Sequence, residues 1–198
     1  MTMKQINSVT SINPKATASK ISILPTAAGV GALGGSQRDK ALARLEQAAS
    51  PIEVTTKVIA TVSTLIPSVE KIHDHDFNVV GFKITDADPD KLQQAYNQVL
   101  TSMVPLPTTN IEQRIAMLAT LIVLPNTLTA KMMTTKTKAL AVELSEYPAD
   151  IVIYAFKEVT KTATFWPSFA EFYKHMSPIY RTRKLLCDRL HKCIVNGR

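Results

Sequence analysis

From residue 50 onward, apolar positions recur every three or four residues, and short stretches holding proline interrupt them. That is the pattern of amphipathic helices. Ser50-Pro51-Ile52-Glu53 reads as a capping box with proline at the first helical position. Val54, Val58, Val62 and Leu65 then follow at helical spacing. The Val, Ile and Thr content of 54–66 also fits a strand, and the cap decides for a helix. Asp88-Pro89 predicts another start, with Leu92, Tyr96, Val99, Leu100 and Met103 on one face, ended by Pro105 and Pro107. Asn110 opens a helix carrying Ile111, Ile115, Leu118, Ala119 and Ile122, which Pro125 stops. Thr134 or Thr135 begins one with Leu140, Ala141 and Leu144.

Pro148 starts the next, with Val152, Ala155, Phe156 and Val159 inward. Ser168 and Glu171 form a second capping box, and Ser177-Pro178 restarts or kinks the helix that follows. Between the first two helices, Phe77, Val79, Phe82 and Ile84 around Gly81 suggest a small hairpin. The alternation of strand and helix that a βαβ fold requires is absent. The expected class is all-α: a small helical bundle over 36–198, its firmest core in 85–176 and a basic helix at 178–195.

Ahead of the bundle, residues 1–35 are rich in Ser, Thr, Ala and Gly without apolar period, which predicts a disordered tail. Ser36 and Asp39 open a short segment with Leu42, Leu45 and Ala49 on one stripe. The apolar stretch from Ile21 to Leu33 comes late and is broken by Pro25, Gly29 and Gly31, unlike a signal peptide. With 198 residues and 45% hydrophobic content, one domain with tails is expected. No run approaches the ~18 apolar residues of a membrane span.

Net charge is +7, and its distribution changes the picture. Residues 1–50 carry six basic and two acidic groups, 51–149 eight and ten, and 174–198 seven and one. A mildly acidic centre is thus flanked by positive ends, which suits nucleic acid or an acidic protein face. In the last segment Arg181, Arg183, Lys184, Arg189 and Lys192 surround Leu186, Leu190 and Ile194. The apolar three form a stripe, so the five cations are expected to project into solvent, available for phosphates or carboxylates. Solvation is the commoner reason for such a face. Tyr180 beside Arg181 offers one stacking surface.

The sequence holds little that points to catalytic chemistry. No P-loop is present. Gly29-Val30-Gly31-Ala32-Leu33-Gly34 matches G-x-G-x-x-G but follows no clean strand, so a linker is the better reading. His73-Asp74-His75-Asp76 cannot all address one ion and reads as a solvated loop. Asp86, Asp88 and Asp90 match only the first half of a calcium loop, and helix capping explains them better. Cys187 and Cys193 are six apart, poor geometry for a disulfide and too few ligands for zinc. They suit a reducing, cytoplasmic setting. The expectation is a protein that is no enzyme, with no metal and no cofactor.

Residues 147–171 carry one further signal. Tyr147-Pro148-Ala149-Asp150 opens a helix, and Phe165-Trp166-Pro167-Ser168 leads through Glu171 into the last one. Here the chain resembles the bacteriophage-type replicative helicase loader/inhibitor proteins, small helical domains with a YP-x-D helix start and an aromatic-aromatic-proline turn. The likeness covers about 25 residues, and 85–176 in helix pattern. Each motif residue also has a packing reading; Trp166 in particular is expected to be a core plug. The resemblance implies a replication accessory protein that binds a hexameric replicative helicase, and an initiator with it, stoichiometrically and without catalysis. The chain departs from the family in its N-terminal extension and in a basic helical C-terminus where the family has a mobile partner-binding tail. A nucleic-acid-binding regulatory module and a phage scaffolding protein are the other expectations.

Overall fold

The computed structural model describes Lys40 and residues 50–196. Over the latter the chain forms six helices and one two-stranded sheet, in the order α1 (Pro51–Leu65), β1 (Glu70–His73), β2 (Val79–Lys83), α2 (Pro89–Ser102), α3 (Thr108–Ala119), α4 (Ala130–Leu144), α5 (Ala149–Thr162) and α6 (Phe169–Asn196). The protein is all-α in class, with the hairpin as its single β element among the described residues. The predicted tail at 1–35, the glycine run at 29–34 and the stripe of Leu42, Leu45 and Ala49 lie outside the described residues.

Local chemistry explains most boundaries. The Ser50 hydroxyl accepts the Ile52 N–H at 3.2 Å, with Pro51 at the first helical position. The Asp88 carboxylate accepts from the N–H groups of Asp90 (2.9 Å) and Lys91 (3.1 Å), so this acidic cluster caps a helix. Glu171 reaches back to the Ser168 N–H at 2.6 Å, one half of a capping box.

Two predicted starts move. α3 begins at Thr108 rather than Asn110, because Pro107 at φ −57° presents its carbonyl to the N–H groups of Asn110 and Ile111. α4 begins at Ala130 rather than Thr134 or Thr135, capped by the Thr129 hydroxyl on the Met132 N–H. Its first turns bury nothing, so no apolar period marked them. At the other end of the chain no break occurs: α6 runs 28 residues, continuous through Pro178.

α6 organises the bundle. At 1.5 Å per residue it is about 42 Å long, and two cores pack against its two halves. The first gathers Ile111, Ile115 and Leu118 of α3, Leu140 and Leu144 of α4, and Ile151, Val152, Ala155, Phe156 and Val159 of α5 against Phe172 and Met176. The second gathers Val62 of α1, Phe82 and Ile84 of the hairpin, and Leu92, Val99 and Leu100 of α2 against Leu186, Cys187, Leu190 and Cys193. Tyr180 packs on both. The buried core therefore extends beyond 85–176 on either side, and both cysteines are buried within it as free thiols.

The hairpin is antiparallel, pairing Glu70 with Lys83 and His73 with Val79, with an irregularity between Ile72 and His73. β2 packs on α6, whereas every residue of β1 is exposed. At the tip Asp74 holds the turn: its Oδ1 accepts the N–H groups of Asp76 and Asn78, both at 2.9 Å. These contacts, the Asn78 N–H foremost, hold its carboxyl below the usual range, with the charge of Arg181 adding. The turn puts Phe77 at φ 62°, the left-handed region, and leaves it 86% exposed.

Candidate functional site

The five cations of the C-terminal helix do not share one face. Arg181 and Lys192 are exposed and Lys184 is half-buried. Arg189 is half-buried too, turning one Nη toward the Ile84 carbonyl at 3.4 Å. Arg183 overturns the sequence expectation outright, at 1% exposure. Its Nε–H donates to Thr55 Oγ1 (2.6 Å), one Nη to Asp150 Oδ1 (2.9 Å) and the Ser102 carbonyl (3.0 Å), and the other Nη to Asp150 Oδ2 (2.5 Å) and the Pro51 carbonyl (2.8 Å). Those five contacts use all five guanidinium donors.

Helix geometry explains the burial of Arg183. On a helix Arg183 lies three residues before Leu186 and seven before Leu190, so it shares their inward face. Sequence alone gave no sign of a buried acid to receive it.

The YP-x-D element acquires a structural meaning from this contact. Asp150, in the first turn of α5, is 3% exposed and is the carboxylate that Arg183 grips. Pro148 sets the cap at φ −56°, its bridge partner being Pro105. Tyr147 packs edge-on against Tyr180 of α6 at 4.9 Å between ring centroids, with Phe169 and Tyr173 at 6.1 and 6.3 Å. Tyr147 and Asp150 thus clamp the start of α5 onto α6. In the aromatic turn, Pro167 is buried and Trp166 is half-buried against the first core, so the expected plug is only partly enclosed. Phe165 is 63% exposed, and the chain beside it is tied to 123 by the Val123 N–H on the Thr164 carbonyl at 2.8 Å.

Arg181 and Lys184 do come together, in a cleft of about 780 Å3 between the hairpin tip and the middle of α6. Phe77 and Val79 line it from the hairpin, and Tyr173, Tyr180 and Leu185 from the helix, with Asp188 its one carboxylate. Lys192 and Arg189 do not line it. Burial, then the neighbouring Tyr147, pushes the Tyr180 hydroxyl up to about 12, so that tyrosine stays neutral and keeps its O–H as a donor at any ordinary pH. Two cations, an exposed phenylalanine and two tyrosines in one concavity can grip an anionic or aromatic group of a larger partner.

Sequence reasoning found Arg181, Lys184 and Tyr180 but gave Phe77 only a place in the small hairpin. The left-handed turn that exposes it has no glycine to signal it. Among the described residues no cluster of His, Cys, Asp or Glu could hold a metal ion, and no helix is long and apolar enough to cross a membrane. Comparison of the chain with family models, with curated proteins and with solved structures finds no match.

Proposed function

We propose that this protein is a non-catalytic, phage-type DNA-replication accessory protein that binds a replicative helicase stoichiometrically, through the cleft between the hairpin and α6. The observation that carries the binding role is Phe77: a large apolar side chain in a left-handed turn, 86% exposed, in one cleft with Arg181 and Lys184. Neither strain nor exposure serves the fold, and both suit an anchor that a partner covers. The partner's identity rests on the resemblance of residues 147–171 to the loader/inhibitor family. A rigid clamp at Tyr147 and Asp150 supports that reading by fixing the helix that forms one wall of the cleft. An initiator bound with the helicase belongs to the same proposal.

A second reading, single-stranded nucleic acid, is favoured by the pairing of aromatic rings with cations, which suits stacked bases and phosphates. Titration of wild type and of Arg181→Ser/Lys184→Ser against replicative helicase and against single- and double-stranded DNA, at two salt concentrations, separates the two. Helicase binding that weakens about tenfold in the double variant supports the loader reading. Loss confined to DNA, with a shallower salt dependence, supports the nucleic-acid reading. Unchanged binding to both removes the cleft from consideration.

A further inference from the structure

A second concavity, of about 460 Å3, lies between α3 and α5 and shares no residue with the cleft. One wall is Arg114, Met117, Leu118 and Leu121, spaced i, i+3, i+4 and i+7 along α3 and just past its end. The other is Ile153, Phe156, Lys157, Thr160 and Lys161 of α5, on the same spacing. Each wall therefore runs about two turns, on the order of 10 Å. Phe156 and Ile153 close the floor as part of the first core, while Met117 and Leu121 are 69% and 68% exposed.

The charge around this groove has one sign. Arg114, Lys157 and Lys161 rim it, and no carboxylate lines it. Lys161 is itself paired with Glu158 at 2.7 Å, so Arg114 and Lys157 are the rim cations that a partner would meet. We infer that the groove is a docking site for an amphipathic helix of an acidic partner protein, its apolar stripe lying between Met117, Leu121 and Phe156 and its carboxylates meeting Arg114 and Lys157. Two helical walls over an apolar floor suit helix-in-groove recognition. The basic rim selects the sign of the partner. The chain's own N-terminal residues 1–38 carry four cations and no acid, the wrong sign to fill the groove from within.

The inference stands apart from the helicase proposal and is tested without a helicase. The full chain is titrated with two fluorescent helical peptides that share Leu at i, i+3, i+4 and i+7, one carrying Glu at the flanking positions and the other Lys. The Glu peptide should bind at least about tenfold tighter, with the preference shrinking at high salt. Met117→Ser/Leu121→Ser should weaken its binding about tenfold while helical circular dichroism is unchanged, because both side chains are exposed. Lys157→Glu should narrow the preference, and Arg181→Ser/Lys184→Ser should leave it intact. Equal affinity for the two peptides, or insensitivity to the groove variant, overturns the inference. So does binding that depends on Arg181 and Lys184. Self-association of the protein that the groove variant abolishes would assign the groove to a second copy and overturn it equally.

Discussion

Arg183 and Asp150 form a two-pronged ion pair sealed from solvent, at 2.9 and 2.5 Å, where the two halves of the molecule meet. The guanidinium lies on α6 between Met176 of the first core and Leu186 of the second, and its remaining donors end on α1 and α2. It thereby satisfies the Ser102 carbonyl at the C-terminal end of α2, one of the acceptors a helix leaves open. Asp150 stands at the N-terminal end of α5, where a negative charge is favoured.

Removing one partner of this pair leaves the other buried and uncompensated. Arg183→Met and Asp150→Asn should each lower stability by about 3–5 kcal/mol in urea unfolding. Arg183→Met combined with Asp150→Leu should recover a substantial part of that loss, because no charge is then stranded. A double variant as unstable as the sum of the singles would refute the pairing.

Phe77→Asn should leave stability unchanged or raise it by up to about 1 kcal/mol, since asparagine tolerates the left-handed turn and no packing is lost. The same variant should weaken partner binding at the cleft about tenfold. A clear drop in melting temperature would show that Phe77 packs on the fold.

Trp166 and Phe165 are neighbours with opposite expectations. Trp166→Ala opens a gap beside Ile115, Leu118 and Leu140 and should cost about 3 kcal/mol, the low end for a large aromatic because the ring is half-exposed. Phe165→Ser should stay within about 1 kcal/mol. Chemical denaturation of the two variants checks both, and a reversed order would mean the turn packs differently.

Stability should fall in alkali. Burial pushes the Cys187 thiol from an ordinary 9.0 up to about 12, and Tyr180 from 10.0 to about 12. Above pH 9 the unfolded chain therefore releases protons that the native chain keeps, and unfolding free energy declines as pH rises toward 12. Below pH 9 the two groups contribute their full effect. Urea midpoints between pH 8 and 11 test this, and Cys187→Ala should flatten the lower part of the decline. Thiol reagents should label Cys187 at pH 8 only on unfolding.

Legibility in the sequence tracked local chemistry. Ser50-Pro51, Asp88-Pro89 and Ser168–Glu171 announced helix starts because the cap and the donors it satisfies lie within three residues of each other. The hairpin was legible only in part: its apolar residues around Gly81 suggested one, but Gly81 lies inside β2, paired with Ile72, and the chain turns at 74–78, where the polar run that Asp74 organises gave no strand signal. α4 was placed late because its first turns fully bury no side chain, Met133 and Thr137 being only half-buried, and leave no apolar period to read. Arg183 was misplaced for the opposite reason: its partners Thr55, Ser102 and Asp150 are 128, 81 and 33 residues away, and only tertiary structure brings them to one guanidinium. Met117 and Leu121 went unread, because the Ile111–Ile115–Leu118 stripe accounts for the inward face of α3 and nothing local marks a second apolar face that the bundle leaves exposed.

The hairpin leaves one row of backbone groups unanswered. β2 is covered by α6, but the outer side of β1 offers its N–H and C=O groups to any extended chain that drifts alongside. Glu70 and Lys71 place a charge of each sign along that margin, and the irregularity at Ile72/His73 bends it away from straight pairing. These modest features stand between a sheet that stays two-stranded and one that grows by recruiting strands from its neighbours. A concentrated sample in which Lys71 is replaced by an apolar β-branched residue is where aggregation would begin.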